Sequence, residues 1–468
     1  MPSYPLLPLG SRFTTTLQAF AHDPGLPFAQ ALPEAAIQQA ADDNGLNFAH
    51  GPDDVYTPAL TLWAFVTQVL SAGKSCVAAV ARAMALRIAL GLPPCSANTG
   101  AYCKARAKLP EDFFRRLTYA AGDAVEDQAP GGWRWRGRRV LLVDGCELTA
   151  PDTPENQAFY PQPDSQKTGL GFPVIRLVVL LTFATASLVG AACGPRQGKE
   201  TGEPALFRQL LGRLRAGDVV VADRYFCSYW MVALLWQLGI DVVFRLHQCR
   251  GYDFRRGRRL GPGDHIVAWP KPERPGWMDQ ETYARLPEQL TVREVRFRVA
   301  TPGYRPEVIV AATTLGDPSR HSKGDIADLY HRRWHVELDI RAIKQTLKME
   351  YLVCKTPAMV RRELWAHLLG YNLVRKVMAQ AAALCDLSPR QVSFAGAVQT
   401  LEAFRWLLLG SSAEARDRVC RAVLLAIGTH EVGDRPGRYE PRCVKRRPKQ
   451  YRRLQKPRAE ARAELLRG

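Results

Sequence analysis

Two short apolar runs, each ending in an aspartate, constrain this chain most. Val140-Leu141-Leu142-Val143 stops at Asp144-Gly145, and Val219-Val220-Val221-Ala222 stops at Asp223. Four consecutive aliphatic residues with no polar alternation suit a strand covered on both faces, as in a sheet with helices packed on it. The segments around them agree. Strands are expected at about 174–183, 187–192 and 242–246, with helices over 203–215 and 228–238. The order strand, strand, strand, helix, strand, helix, strand predicts an α/β layer with mixed sheet direction. Glu147 and Asp152 follow Asp144 closely and read as its neighbours rather than as principals.

Charge narrows the partner. The 468 residues carry a formal net charge of +19, and so basic a surface collects phosphate and releases counterions from nucleic acid. A membrane surface would suit the same balance, but no basic amphipathic helix is long enough to favour it. The start, MPSYPLLPLG, lacks a charged segment followed by an apolar one, so the protein is expected to stay inside the cell. The apolar run Val174 to Cys193 contains Arg176 and a glycine break and reads as two buried strands rather than a membrane span. The eleven cysteines show neither C-x-x-C pairs nor zinc spacing and read as reduced thiols.

The flanks are helical. Before residue 130, helices are expected over 31–42, 58–90 and 99–125, the last broken at Pro110, with Gly91 to Pro94 ending the second. Lys104, Arg106 and Lys108 lie on a helix that suits duplex DNA and a solvated face equally. Gly73-Lys74-Ser75 imitates the end of a phosphate-binding loop, but Gln68 stands where the loop's first glycine belongs. Trp133 to Arg139 interleaves aromatics with cations, as a nucleic-acid clamp or as the lead-in to a strand. From about 248 to 320 the texture is β-rich, with arginines at 250, 255, 256, 258 and 259. Beyond Leu352, helices are expected over 357–385, 393–408 and 413–427. The tail from Glu431 holds thirteen Lys/Arg against five Asp/Glu and is expected to have little structure of its own. No internal repeat is present.

One segment links these parts. On a helix advancing ~100° per residue, Tyr330, Arg333, Glu337 and Lys344 fall within roughly 60° of one another. Val336, Ile340, Ile343 and Leu347 form a core-facing stripe beside them. That polar face suits an ion-paired surface or a site. If Asp144, Asp223 and Glu337 converge, they supply the oxygen ligands that Mg²⁺ prefers and leave positions for water and phosphate. Two such ions activate an attacking oxygen and stabilise a leaving one. No histidine or cysteine nucleophile is required.

At these residues the chain resembles bacterial DDE transposases of the insertion sequence 4 type, over about Val140 to Lys355. Tyr330, Arg333, Glu337 and Lys344 match the signature Y-x2-R-x3-E-x6-K without a gap, beside the VDG strand at Asp144, the ADRYF element at Asp223 and the β-insertion before the glutamate. The resemblance implies a ribonuclease H-like α/β core: a mixed sheet flanked by helices and interrupted by a β-rich insertion, with helical N- and C-terminal regions. It implies Asp144, Asp223 and Glu337 as the metal-binding triad, loaded with two Mg²⁺ for which Mn²⁺ can substitute. Tyr330, Arg333 and Lys344 would hold DNA phosphate, with Arg341 beside them. Lys167, Arg255, Arg256, Arg258, Arg259 and Trp269 are further candidate DNA contacts.

The implied reaction is cleavage at insertion-sequence ends and strand transfer into target DNA, by cut-and-paste with or without hairpin ends. The partners would be double-stranded transposon and target DNA, a second copy of the chain in a synaptic homodimer, and no membrane. The location would be cytoplasmic, at the nucleoid of a bacterium. Some relatives stack a flipped base on a tryptophan of the insertion. Here Glu307 to Thr314 contains none, and Trp269 and Trp277 lie earlier, so no stacking residue is assigned. Other readings are a transposase-derived DNA-binding regulator and a ribonuclease H-like nuclease without strand transfer. The expected organisation is a helical domain over 1–130 that binds DNA ends, a catalytic core over 131–247 and 321–385, the insertion over 248–320, and a helical region with the basic tail over 386–468.

Overall fold

The structure, a computed structural model, describes residues 32–49, 51, 54–71, 73–89, 93–299, 307–404, 407, 413–432 and 453–467. Among them runs one nine-stranded sheet in the order β3-β2-β1-β4-β5-β9-β8-β7-β6. Its strands are β1 (Val140–Thr149), β2 (Val174–Thr182), β3 (Leu188–Pro195), β4 (Val219–Ala222), β5 (Asp241–Arg245), β6 (Arg258–Gly261), β7 (Asp264–Pro270), β8 (Gln289–Val299) and β9 (Glu307–Thr313). The mixed sheet flanked by helices that the resemblance implied is borne out. β4 is parallel to β5, and β5 is antiparallel to β9. The four residues of β4 are fully buried, which explains their unbroken hydrophobicity.

β6 to β9 form an antiparallel meander. It is joined to the sheet by pairing of β9 with β5, in the register Val243 opposite Thr313. The β-rich stretch therefore widens the sheet instead of folding beside it. The Val174 to Cys193 run forms two strands, as expected. Among the described residues no helix is long and apolar enough to cross a membrane.

The chain divides into two compact units, and strands β1, β2 and β3 contribute residues to both. The first unit takes in the described residues of Met1–Leu142, Val179–Ala191 and His335–Val432. Its centre is the helix Pro357–Leu384, buried along most of its length. Asn372 on that helix donates to the carbonyls of Thr118 and Leu188, 2.8 Å each, and accepts from the Leu188 amide. One side chain thus ties the helix Glu111–Asp127 and strand β3 to the central helix. The second unit takes in the described residues of Val143–Val178, Ala192–Trp334 and Gly433–Gly468. Its core contains Trp269, Val292, Val295 and Leu329.

Three sequence expectations require correction. The helix expected over 58–90 is two helices, Pro58–Leu70 and Cys76–Ala89. Between them Ser71 donates its hydroxyl to the Gln68 carbonyl, the Gln68 amide holds the Lys74 carbonyl, and Lys74 has φ +45. Those bonds satisfy the helix end that periodicity alone would have carried through. β1 does not stop at Asp144 but runs on to Thr149 with half-exposed residues, so Glu147 is still on the strand, paired with Arg176 and Arg196. In the tail, residues 433–452 lie outside the described residues, and Arg458–Leu465 is a helix where little structure was expected.

Candidate active site

The segment Tyr330 to Lys344 is not one helix. Lys323–His331 is a helix opened by a capping box between Ser322 and Asp325, Trp334–Arg341 is a second, and Ala342–Thr346 makes a wider π-turn. The break falls at Arg332 and Arg333. The straight-helix estimate of a common face therefore fails, although the apolar stripe holds: Val336, Ile340, Ile343 and Leu347 are all buried. π-turns of this kind recur at functional sites.

In the second unit the structure gathers Asp144, Asp223, Arg333 and Tyr330. Asp144 lies in β1 and accepts from the Gly145 amide at 2.8 Å. Its other oxygen accepts from Arg333 at 3.4 Å. Burial pushes the Asp144 carboxyl up to about 6; Asp223 and Glu203 add to the rise, and Arg333 and the Gly145 amide oppose it. Asp223 follows β4, where its Oδ1 accepts from the Tyr225 amide at 2.8 Å and caps a short turn. Tyr330 is buried against Phe297. Burial raises its hydroxyl to about 12, against the pull of Arg333 and Arg245.

Glu203 is the member of this group that sequence reasoning missed. It opens the helix Glu203–Arg208, and burial, then Asp223, raise its carboxyl, with Arg176 opposing. A Cβ at position 145 would stand 2.4 Å from Glu203 Oε1, so glycine after Asp144 is what admits this third carboxylate. The glycine was visible in the sequence; the distant residue that needs it was not.

The other signature residues belong to the first unit. Glu337 is half-buried in the first turn of Trp334–Arg341, and Arg341 ends that helix exposed. Lys344 lies in the π-turn, 3.8 Å from Glu350. The remaining candidate DNA contacts lie in a loop, on β6 and the turn before it, and on β7. Lys167 is exposed in a loop whose carbonyls are held by Gln162. Arg255 and Arg256 are exposed and pair with Asp253, and Arg258 and Arg259 are exposed on β6. Trp269 is a correction: it is 2% exposed, donates to Glu294 at 3.0 Å, and is covered by the Arg250 guanidinium 3.9 Å from its ring centre. Its N–H and its face are both occupied within the protein, so in this conformation it offers no base a surface.

The donor chemistry fits a hard divalent cation. Half-buried Asp144, with Asp223 and Glu203 nearby, gains from an added positive charge. Among the described residues no three His, Cys, Asp or Glu side chains form a group that holds an ion unaided. Mg²⁺ ordinarily takes one or two carboxylates together with water and substrate phosphate, and that arrangement remains open to these residues.

Residues 135–373, just over half of the chain, match the Transposase DDE domain family. The chain belongs to this family. It is thus a DDE transposase, an enzyme that acts on DNA, and membership implies use of a divalent metal. It is 29% identical over 357 residues, 75% of this chain and 77% of the relative, to transposase InsG for insertion sequence element IS4 of Escherichia coli (strain K12). Putative transposase InsZ of the same organism is 28% identical over 108 residues, 23% of this chain and 35% of the relative. The insertion sequence 4 resemblance is borne out by both. The cryo-EM structure of the piggyBac transposase synaptic complex with hairpin DNA is a looser likeness, with TM-score 0.42 and 10% identity over 86% of this chain and 84% of that one.

Proposed function

We propose that this transposase cuts insertion-sequence ends and joins them to target DNA with Asp144, Asp223 and Glu337 as its metal-binding triad. The observation that carries the proposal is the half-buried Asp144 carboxylate, which accepts from Arg333 and is raised first by its desolvation and then by the charges of Asp223 and Glu203. In the chain, Arg333 stands just before the helix Trp334–Arg341 that carries Glu337. Two Mg²⁺ ions would supply Lewis acidity to the attacking and leaving oxygens.

The protein's own groups position the DNA. The Arg333 guanidinium has five N–H donors and can keep Asp144 while taking a phosphate oxygen. Tyr330, Lys344 and Arg341 provide further phosphate contacts near the cleaved end. In the first step water attacks the scissile phosphorus and the P–O3′ bond breaks, freeing a 3′-hydroxyl and leaving a 5′-phosphate. In the second, that hydroxyl attacks a target phosphorus and displaces a target 3′-oxygen. The exposed arginines of β6 and its preceding turn, with Lys167, add sequence-independent affinity. In this reading two copies of the chain pair the two ends as a homodimer, at the nucleoid of a bacterial cytoplasm.

The test incubates the full chain with end-bearing DNA, a target plasmid and Mg²⁺. Joined product is expected. Cleavage without joining would instead indicate a nuclease, and binding without cleavage a regulator.

A further inference from the structure

The Gly73-Lys74-Ser75 turn, whose sequence imitates a phosphate loop, has its lysine turned into the first unit. The Lys74 side chain is 7% exposed, and its ammonium donates to the carbonyls of Lys348 and Tyr351 at 2.9 Å each. It lies 3.6 Å from Glu363 and 3.3 Å from Nε2 of His367. Glu363, fully buried on the central helix, accepts from the amides of Val353 (2.9 Å) and Cys354 (2.8 Å). The segment 348–354 is thus gripped by its carbonyls at one end and by its amides at the other, through one buried ion pair. Lys348 has the left-handed φ of +57, a conformation that a non-glycine residue keeps only when its surroundings hold it.

This segment continues the turn that carries the signature lysine. The Glu350 amide donates to the Lys344 carbonyl at 3.2 Å, and the Glu350 carboxylate lies 3.8 Å from the Lys344 ammonium. Whatever fixes residues 348–354 therefore fixes both the backbone and the ionic neighbour of Lys344. We propose that Lys74 is a positioning residue for Lys344, orienting that lysine toward DNA phosphate through the clasped segment. The inference rests on the reading of Lys344 as a phosphate contact. Lys74 itself is buried, its ammonium turned to protein carbonyls.

The two roles separate in salt titrations of binding to end-bearing DNA. Each neutralised phosphate contributes about 0.9 to the slope of log affinity against log salt. Lys344→Ala should lower the slope by about that amount, and Lys74→Met by a similar amount. Between 50 and 200 mM salt that is roughly a 3.5-fold smaller fall in affinity. The double variant should lose no more than either single one. A lowered slope in Lys344→Ala with an unchanged slope in Lys74→Met would overturn the positioning role, as would additive losses in the double variant. An unchanged slope in Lys344→Ala would remove Lys344 as a phosphate contact and this inference with it. Should Lys74→Met fail to fold, Lys74→Gln, which is uncharged and one atom too short to hold both carbonyls, is measured in its place against the same outcomes.

Discussion

Replacing Glu337 by glutamine is expected to lower cleavage of end-bearing DNA by about 10³-fold or more, the effect of losing a few kcal/mol of transition-state stabilisation. The substitution preserves side-chain shape and removes the charge that a cation requires. Val336, Asp339 and Ile340, the buried residues of the same helix, are untouched, so the fold should survive. The exposed basic residues are also unchanged, and duplex affinity, which they dominate, should stay close to that of the parent. Cleavage on a sequencing gel and binding by mobility shift separate the two effects. Parental cleavage by Glu337→Gln would take Glu337 out of the site.

The second large effect is on stability. Asp339, two residues after Glu337, is 2% exposed and bonds two arginines, Arg375 at 2.5 Å and Arg390 at 2.6 Å. Arg390 also donates to the carbonyls of Thr182 and Phe183, 2.9 Å each, at the end of β2. This carboxylate anchors the Glu337 helix to the central helix and to the sheet. Asp339→Ala would leave the buried Arg375 charge without its counter-ion, and breaking such a pair costs about 3–5 kcal/mol. Urea denaturation should show a midpoint shifted down accordingly. A midpoint equal to the parent's would show that the pair contributes nothing to the fold.

How far the sequence alone carried the reading depended on how local each signal was. The buried runs at 140–143 and 219–222, the two strands between 174 and 195, and the stripe Val336-Ile340-Ile343-Leu347 follow from periodicity, and the structure has them. The breaks at Ser71 to Ser75 and at Arg332 to Arg333 do not follow, because non-helical bonds occupy the residues there: Gln68 to Lys74 across the first, Arg333 to Asp144 beside the second. Glu203 and Asp339 escaped for a related reason. Each is one carboxylate among many until Gly145, in the one case, and Arg375 and Arg390, in the other, are brought against it. Trp269 read as a candidate DNA contact because the arginine that covers it and the glutamate that bonds it lie on separate segments.

The most direct test of the triad is metal binding on end DNA, measured by Mn²⁺ electron paramagnetic resonance for the parent and for Asp144→Asn, Asp223→Asn and Glu337→Gln. The parent should bind Mn²⁺ in the presence of end DNA, and each variant should bind it at least about tenfold more weakly, the effect of losing one charged ligand worth about 1.4 kcal/mol or more. Parental Mn²⁺ affinity in any of the three would contradict a shared site.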